Sequence, residues 1–302
     1  MNARYLTADV FTDRRFGGNQ LAVFPDARDI AADLMPQIAR EFNYSETTFV
    51  LPPDDPSHTA RVRIFTPGGE LQFAGHPTVG TAHVLASIGA IRLTGPETRI
   101  VFEEGVGPVP VVIRASDGKP TFAQLSAAKL PEVGPPPPSK AALAAMLSLA
   151  PGDVLDGEMS SQTVSCGTPF LFIPVRDRSA VAQSRLKLDL WESTLGAYIT
   201  NKVMVFAMDA ELPGNDVRAR MYAPGSGIVE DPATGSACVA LGGYLADRDP
   251  RPDGTLRWVV EQGFEMRRPS ILEVEADKRG GRVTAARVGG KTVLVCEGAM
   301  TI

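Results

Sequence analysis

One short pattern occurs twice in this chain. The first copy, FTPGGELQFAGHPTVGTA, runs from Phe65 to Ala82; the second, YAPGSGIVEDPATGSA, runs from Tyr222 to Ala237. Each has an aromatic residue, a Pro-Gly turn, a short spacer, a polar residue before proline, and a run of small residues. His76 and Asp231 take the polar place, 155 positions apart. A repeated strand–turn–helix unit constrains the chain to two similar halves. Two such halves facing each other make a two-sided pocket for a small anion, with His76 and Asp231 at its mouth.

The repetition reaches beyond the pattern. SETTFVL at 45–51 precedes the first copy, and NKVMVFA at 201–207 precedes the second at nearly the same offset. GGNQLAVF at 17–24 has a weaker echo in GTPFLFIP at 167–174. After each polar-Pro pair comes a stretch nearly without charge, PTVGTAHVLASI at 77–88 and ATGSACVALGGYL at 233–245. A helix with no polar face is enclosed by other structure. Proline suits the first helical turn, and Gly89 suits a stop. Each half is therefore expected to wrap strands around a buried helix that starts just after the polar-Pro pair.

Chain length supports this: 302 residues suffice for two domains with real cores. Strands are expected at 5–10, 21–24, 47–51 and 60–66, and a helix over 30–41 capped by Asp29. PEVGPPPP at 131–138 reads as a stiff, exposed segment. The first domain is placed at residues 1–117 and the second at 118–282. Residues 283–302 read as two strands joined at Gly289-Gly290, whose return to the first half the sequence leaves open.

Composition narrows the function. The net charge of -5 comes without a basic stripe, which argues against a nucleic-acid partner. The N-terminus lacks the apolar stretch of a signal peptide or membrane span, and the three cysteines form no CxxC, so a cytoplasmic setting is expected. His58, His76 and His83 lack ligand spacing and there is no HExxH; no metal is expected. No phosphate-cradling or dinucleotide fingerprint is present either, so no cofactor is expected.

Several residues carry possible chemistry, each with a plainer reading beside it. Glu46 opens an apolar strand; it is a desolvated general acid/base or an exposed edge residue. His76, between Gly75 and Pro77, moves a proton, donates a hydrogen bond or caps a helix. Asp231 does chemistry or caps its own helix. Glu230 beside it reads as a surface charge. Gly75, Gly80, Gly235 and Ser236 fit an anion nest at two helix starts. Asn19 and Gln20 offer side-chain hydrogen bonds, and Gln262 reaches a substrate or simply turns the chain. Cys238 lies inside an apparently buried helix and reads as core, which argues against a two-thiol mechanism.

ADVFTDRRFGGNQLAVF at 8–24, NYSETTFV at 43–50, FTPGGELQFAGHPTVGTAHVL at 65–85, DPATGSA at 231–237 and EQGFEMRRPS at 261–270 together resemble the PhzF-like isomerase family of phenazine biosynthesis. The resemblance implies an α+β, diaminopimelate epimerase-like fold: two pseudo-symmetric domains, each a mixed β-sheet around a central helix, with the site in the cleft between them. It further implies a homodimer, no metal or organic cofactor, and isomerisation of a dihydroxyanthranilate-type precursor by moving a proton along a conjugated ring. By resemblance Glu46 matches the family's proton-shuttling glutamate. His76 and Asp231 match its histidine and aspartate, Ser236 its binding serine and Gln262 its binding glutamine. Related amino-acid epimerases carry paired cysteines where this chain has Ala74 and Ala233, which favours glutamate chemistry. Gln20 stands where many relatives have proline. The expectation is a cofactor-independent, single-base isomerase acting on a small anionic substrate. The alternatives are an amino-acid epimerase or racemase, which needs a second base, and a non-catalytic metabolite-binding protein.

Overall fold

A computed structural model describes residues 2–302, and the chain divides into two compact units. The first comprises residues 1–128 and 288–302; the second comprises 129–287.

In the first unit the elements run β1 (Asn2–Val10), β2 (Asn19–Phe24), α1 (Met35–Phe42), β3 (Glu46–Leu51), β4 (Ala60–Thr66), β5 (Gly69–Leu71), α2 (Gly75–Ser87), β6 (Glu97–Glu104), β7 (Gly107–Ser116) and β8 (Lys119–Ser126). β1 and β2 are antiparallel, β2 and β3 parallel, and β3 and β4 antiparallel. β5 turns back on β4 as a short hairpin. β6 then runs parallel to β4 and starts an antiparallel meander with β7 and β8. The sheet is thus mixed. That β8 pairs with β7 is why this unit runs to residue 128 rather than to the expected 117.

The second unit repeats the plan. Its elements are β9 (Glu132–Val133), α3 (Lys140–Met146), β10 (Gln162–Ser165), β11 (Pro169–Pro174), α4 (Arg178–Gln183), α5 (Leu188–Leu195), β12 (Val203–Ala207), β13 (Val217–Ala223), β14 (Ile228–Asp231), α6 (Gly235–Arg248), β15 (Gly254–Gln262) and β16 (Ser270–Arg279). β10–β11 is antiparallel, β11–β12 parallel, β12–β13 antiparallel, β13–β14 a hairpin, and β15 parallel to β13. This is the order of the first unit, step for step. β17 (Arg282–Gly290) and β18 (Thr292–Thr301) end the chain, and β18 lies antiparallel to β1 along its whole length.

The two buried helices organise both units. Gly75 to Ala86 of α2 are all buried, and α6 is buried from Ala237 through Ala246. Their small residues set the approach of neighbouring backbone. A Cβ on Gly80 would stand 2.5 Å from Leu21 and 2.6 Å from Val10; one on Gly243 would stand 2.4 Å from Pro131. In the first unit, α1 packs over an aromatic cluster in which Phe24 stacks on Phe49 at 5.0 Å and Tyr5 meets Phe42 edge-on. α1 itself starts at Met35, later than the periodicity predicts. Pro36 sits in its first turn, where the missing N–H costs nothing, and Asn43 ends it in the left-handed conformation.

No helix among the described residues is long and apolar enough to cross a membrane.

Candidate active site

In the first unit three side chains converge where β2, β3 and α2 begin. Asn19 is the first residue of β2, Glu46 the first of β3 and His76 the second of α2. All three are buried, His76 to 3% exposure and Asn19 to 1%. Parallel pairing of β2 with β3 sets Leu21 beside Glu46, so the two strands deliver Asn19 and Glu46 to one end of the sheet. Asn19 Nδ2 lies 3.2 Å from His76 Nδ1, and Glu46 Oε2 lies 3.3 Å from the same nitrogen.

Burial sets the charge state of the imidazole. It pulls the His76 pKa down to about 3, outweighing an opposing contribution from the Gln20 backbone. The ring is therefore neutral at physiological pH, and its contact with Glu46 is not an ion pair. Asn19 Nδ2 and Glu46 Oε2 both lie at Nδ1, and the ring's other nitrogen is Nε2. That nitrogen is buried and has no hydrogen-bond partner among the described residues.

Two supports around this group were not predicted from the sequence. Asp9, buried in β1, accepts a 2.6 Å hydrogen bond from the Phe16 amide and so holds the loop that leads into Asn19. Its signal was a carboxylate inside an apolar strand beside a Gly-Gly turn. Thr48 of β3 and Thr81 of α2 share a 2.9 Å hydroxyl bond, which fixes the helix against the strand that carries Glu46.

The second unit holds the other predicted residues. Asp231 ends β14; its Oδ2 accepts from Thr234 Oγ1 at 2.5 Å. Gln262, fully buried at the end of β15, donates to the Asp231 carbonyl at 2.7 Å and to Thr234 Oγ1 at 3.0 Å, and accepts from the Thr234 amide at 3.1 Å. Both ends of its amide are thus engaged within the turn 231–234. Gln262 shapes that turn, one of the two roles the sequence left open. Gly235 and Ser236 open α6, and Ser236 is half-buried. Glu230 is no bare surface charge: it takes a two-pronged bond from buried Arg220, each arm 2.8 Å. Cys238 is fully buried, and burial raises its thiol pKa further out of reach.

Comparing the units residue by residue corrects the expected correspondence. In each, the hairpin strand is followed by three residues and then the helix, which begins at Gly75 or Gly235. Hairpin register places Leu71 opposite Ile64 and Asp231 opposite Met221. The counterpart of Asp231 is therefore Leu71, that of His76 is Ser236, and that of the helix-capping Ala74 is Thr234 rather than Ala233. His76-Pro77 lies inside the first turn of α2, whereas Asp231-Pro232 lies before α6. Gly80 consequently falls in the second turn of its helix, packed on β1 and β2, and offers no helix-start amide to an anion. Gly75 and Gly235 do occupy helix starts. Register across the next strand pairs Thr47 with Phe65 and Val203 with Tyr222, so Val203 answers to Thr47 and the counterpart of Glu46 is Lys202.

Among the described residues no group of three or more His, Cys, Asp or Glu side chains is placed to hold a metal ion.

Comparison with known proteins agrees with this architecture. The family model described as phenazine biosynthesis-like protein matches residues 8–298. The chain is 39% identical to an uncharacterized isomerase of Mesorhizobium japonicum, over 99% of this chain and 98% of that one. It is 35% identical to a trans-2,3-dihydro-3-hydroxyanthranilate isomerase of Pseudomonas aeruginosa, over 98% of each. A Bacillus anthracis phenazine biosynthesis protein of the PhzF family shares its fold, with a TM-score of 0.89 over the full length of both chains at 24% identity.

Proposed function

Since this chain belongs to the phenazine biosynthesis-like family, whose relatives include isomerases of small carboxylic acids, we propose that it is a cofactor-independent isomerase that moves a proton within a small unsaturated cyclic or amino-acid-like carboxylic acid. Glu46 is the single base. It breaks a C–H bond activated by conjugation, takes the proton, and returns it to another carbon on the same face while the double bond migrates.

One observation carries this reading: Glu46 stands against a neutral imidazole in one unit, while the other unit has no carboxylate at the matching strand start, where Lys202 stands. A cationic histidine would hold Glu46 as a carboxylate. A neutral one lets it alternate between carboxylate and carboxyl as it takes and returns the proton. The Nε2–H of His76 then donates to a developing negative charge on the substrate. Asp231 orients a polar substituent, and the amides at Gly75 and Gly235 with the Ser236 hydroxyl bind the substrate's anionic group. Asn19 keeps the imidazole in the required tautomer.

Hydrogen–deuterium exchange by NMR in D₂O tests this reading, using a panel of cyclic unsaturated amino and hydroxy acids that includes the dihydro-hydroxyanthranilate named for the Pseudomonas relative. Exchange with double-bond migration is expected for the wild type and not for Glu46→Gln. Inversion at one stereocentre without migration would point to epimerisation. Tight binding without exchange would point to a metabolite-binding protein.

A further inference from the structure

The first turn of α2, which carries His76, is clasped by a buried carboxyl group outside the site. Glu104 ends β6 and is exposed by only 7%. Along β6 the inward positions are Thr98, Ile100, Phe102 and Glu104, so this carboxyl falls on the core face beside α2. Its Oε1 lies 2.5 Å from the hydroxyl of Thr78, and that same hydroxyl lies 2.7 Å from the carbonyl of Ala74, the residue that caps α2.

A threonine hydroxyl has one hydrogen to give. The Ala74 carbonyl can only accept, so the hydrogen goes there. The short contact to Glu104 then needs its hydrogen from the other side, which makes the carboxyl the donor. The backbone amide of Thr78 reaches the same carbonyl only at 3.4 Å, so the hydroxyl is the closer bond holding this turn. Ionised Glu104 would take the hydroxyl hydrogen for itself and strip the Ala74 carbonyl of that bond.

We propose that Glu104 is a positioning residue, held in the acid form, that through Thr78 fixes the first turn of α2 and with it the ring of His76. The proposal rests on the role given to His76 above. Among the described residues no neighbouring charge is placed to stabilise the ionised form. Arg61 and Arg63 of β4 are bonded to Asp54 and Glu70, and His58 is bonded to Glu103. Asp55 is engaged by Ser57, and β7 brings only Gly107 and Pro108 to this side. On α2 itself, His76 and His83 are both kept neutral by burial. Burial likewise lifts the Glu104 pKa from 4.5 to about 8, the Thr78 bond opposing only in part.

The sign of the pH effect follows. A carboxyl whose folded pKa lies above its unfolded value stabilises the fold at low pH, and that contribution drains away as pH rises to the folded value. The two histidines act oppositely, but only below 6.5. Between pH 6.5 and 8 Glu104 is therefore the group to read. There the folded-to-unfolded ratio of the wild type should fall about tenfold per pH unit relative to Glu104→Gln, whose neutral amide keeps the donor.

The experiment joins that denaturant titration to an NMR pH titration of the amides from Gly75 to Val79. These resonances are expected to move with a midpoint near pH 8 in the wild type and to stay still in Glu104→Gln. Exchange activity should decline above that midpoint in the wild type alone, and Glu104→Gln should retain more of it than Glu104→Leu. Parallel stability curves and identical amide titrations in wild type and Glu104→Gln would overturn the proposal. If no substrate exchanges at all, the function assigned above fails while the amide and stability readouts still decide on Glu104. If Glu104→Leu does not fold, the wild type and Glu104→Gln pair decides alone.

Discussion

The two units run the same strand order, yet their helix starts do different things. In the first, α2 opens with Gly75-His76 beneath Asn19 and Glu46, and every one of the chain's three histidines lies in this unit. In the second, α6 opens with Gly235-Ser236, and the position of Glu46 is taken by Lys202. The acidic group there is Asp231, on the hairpin strand before the helix and locked by Thr234 and Gln262. One scaffold thus carries the buried Glu46–His76 pair in one copy and a rigid polar clamp in the other. Duplication supplies the frame, and a few substitutions at strand and helix starts divide the work.

The sharpest way to break this division is to change Glu46 in the first unit and, as a control, a core strand residue in the second. Glu46→Gln should lower the rate of substrate proton exchange by about 10²–10⁴, the range for loss of one acid/base group. Val203→Ala should leave exchange nearly unchanged and instead lower stability by about 1–3 kcal/mol, as loss of buried volume does, read by urea denaturation. If Val203→Ala silenced exchange as fully as Glu46→Gln, the assignment of chemistry to one unit would fail.

Acid should also separate the units. His76 and His83 have folded pKa values of about 3 and about 4, below the unfolded value of 6.5. Their contribution to stability is present above pH 6.5 and is lost as pH falls through this window, because the unfolded chain takes up the protons. Amide hydrogen exchange followed from pH 6.5 to 4 should show α2 losing protection before α6. Equal loss in both would mean that these histidines do not set the acid limit.

Smaller effects belong to packing and binding. Gly80→Ala drives a methyl group into Val10 and Leu21 and should cost about 1–3 kcal/mol, measured as a shift in denaturation midpoint. The position that matches it in α6 is already Ala240. Ser236→Ala should weaken substrate binding by about 0.5–1.5 kcal/mol, seen in KM rather than kcat, as expected for a single hydrogen bond.

Much of this was legible in the chain. The duplicated pattern, the uncharged helices and the β-rich stretches before them point to two wrapped helices, and Glu46 and His76 come from that reading. The alignment of the copies did not. His76-Pro77 and Asp231-Pro232 look alike as letters, but helix formation depends on where the hairpin ends, and α2 begins two residues before its proline while α6 begins three after. Gly80 was misplaced for the same reason: its place along a helix and the face it presents are set by tertiary register, which local pattern does not carry. Glu104 was readable in principle, as a carboxylate in an alternating strand where an apolar residue belongs.

The return of β18 to β1 has a consequence for how the protein is made. Residues 129–287 form an uninterrupted stretch whose unit can assemble while synthesis continues. The first unit cannot. Its strand β1 emerges from the ribosome before any of the second unit and then waits for its long antiparallel partner, Thr292–Thr301, which is made after that unit. The half that carries Glu46 and His76 is therefore begun first and completed last, so a chain truncated before its final strand would hold the proposed base on a sheet that never closed.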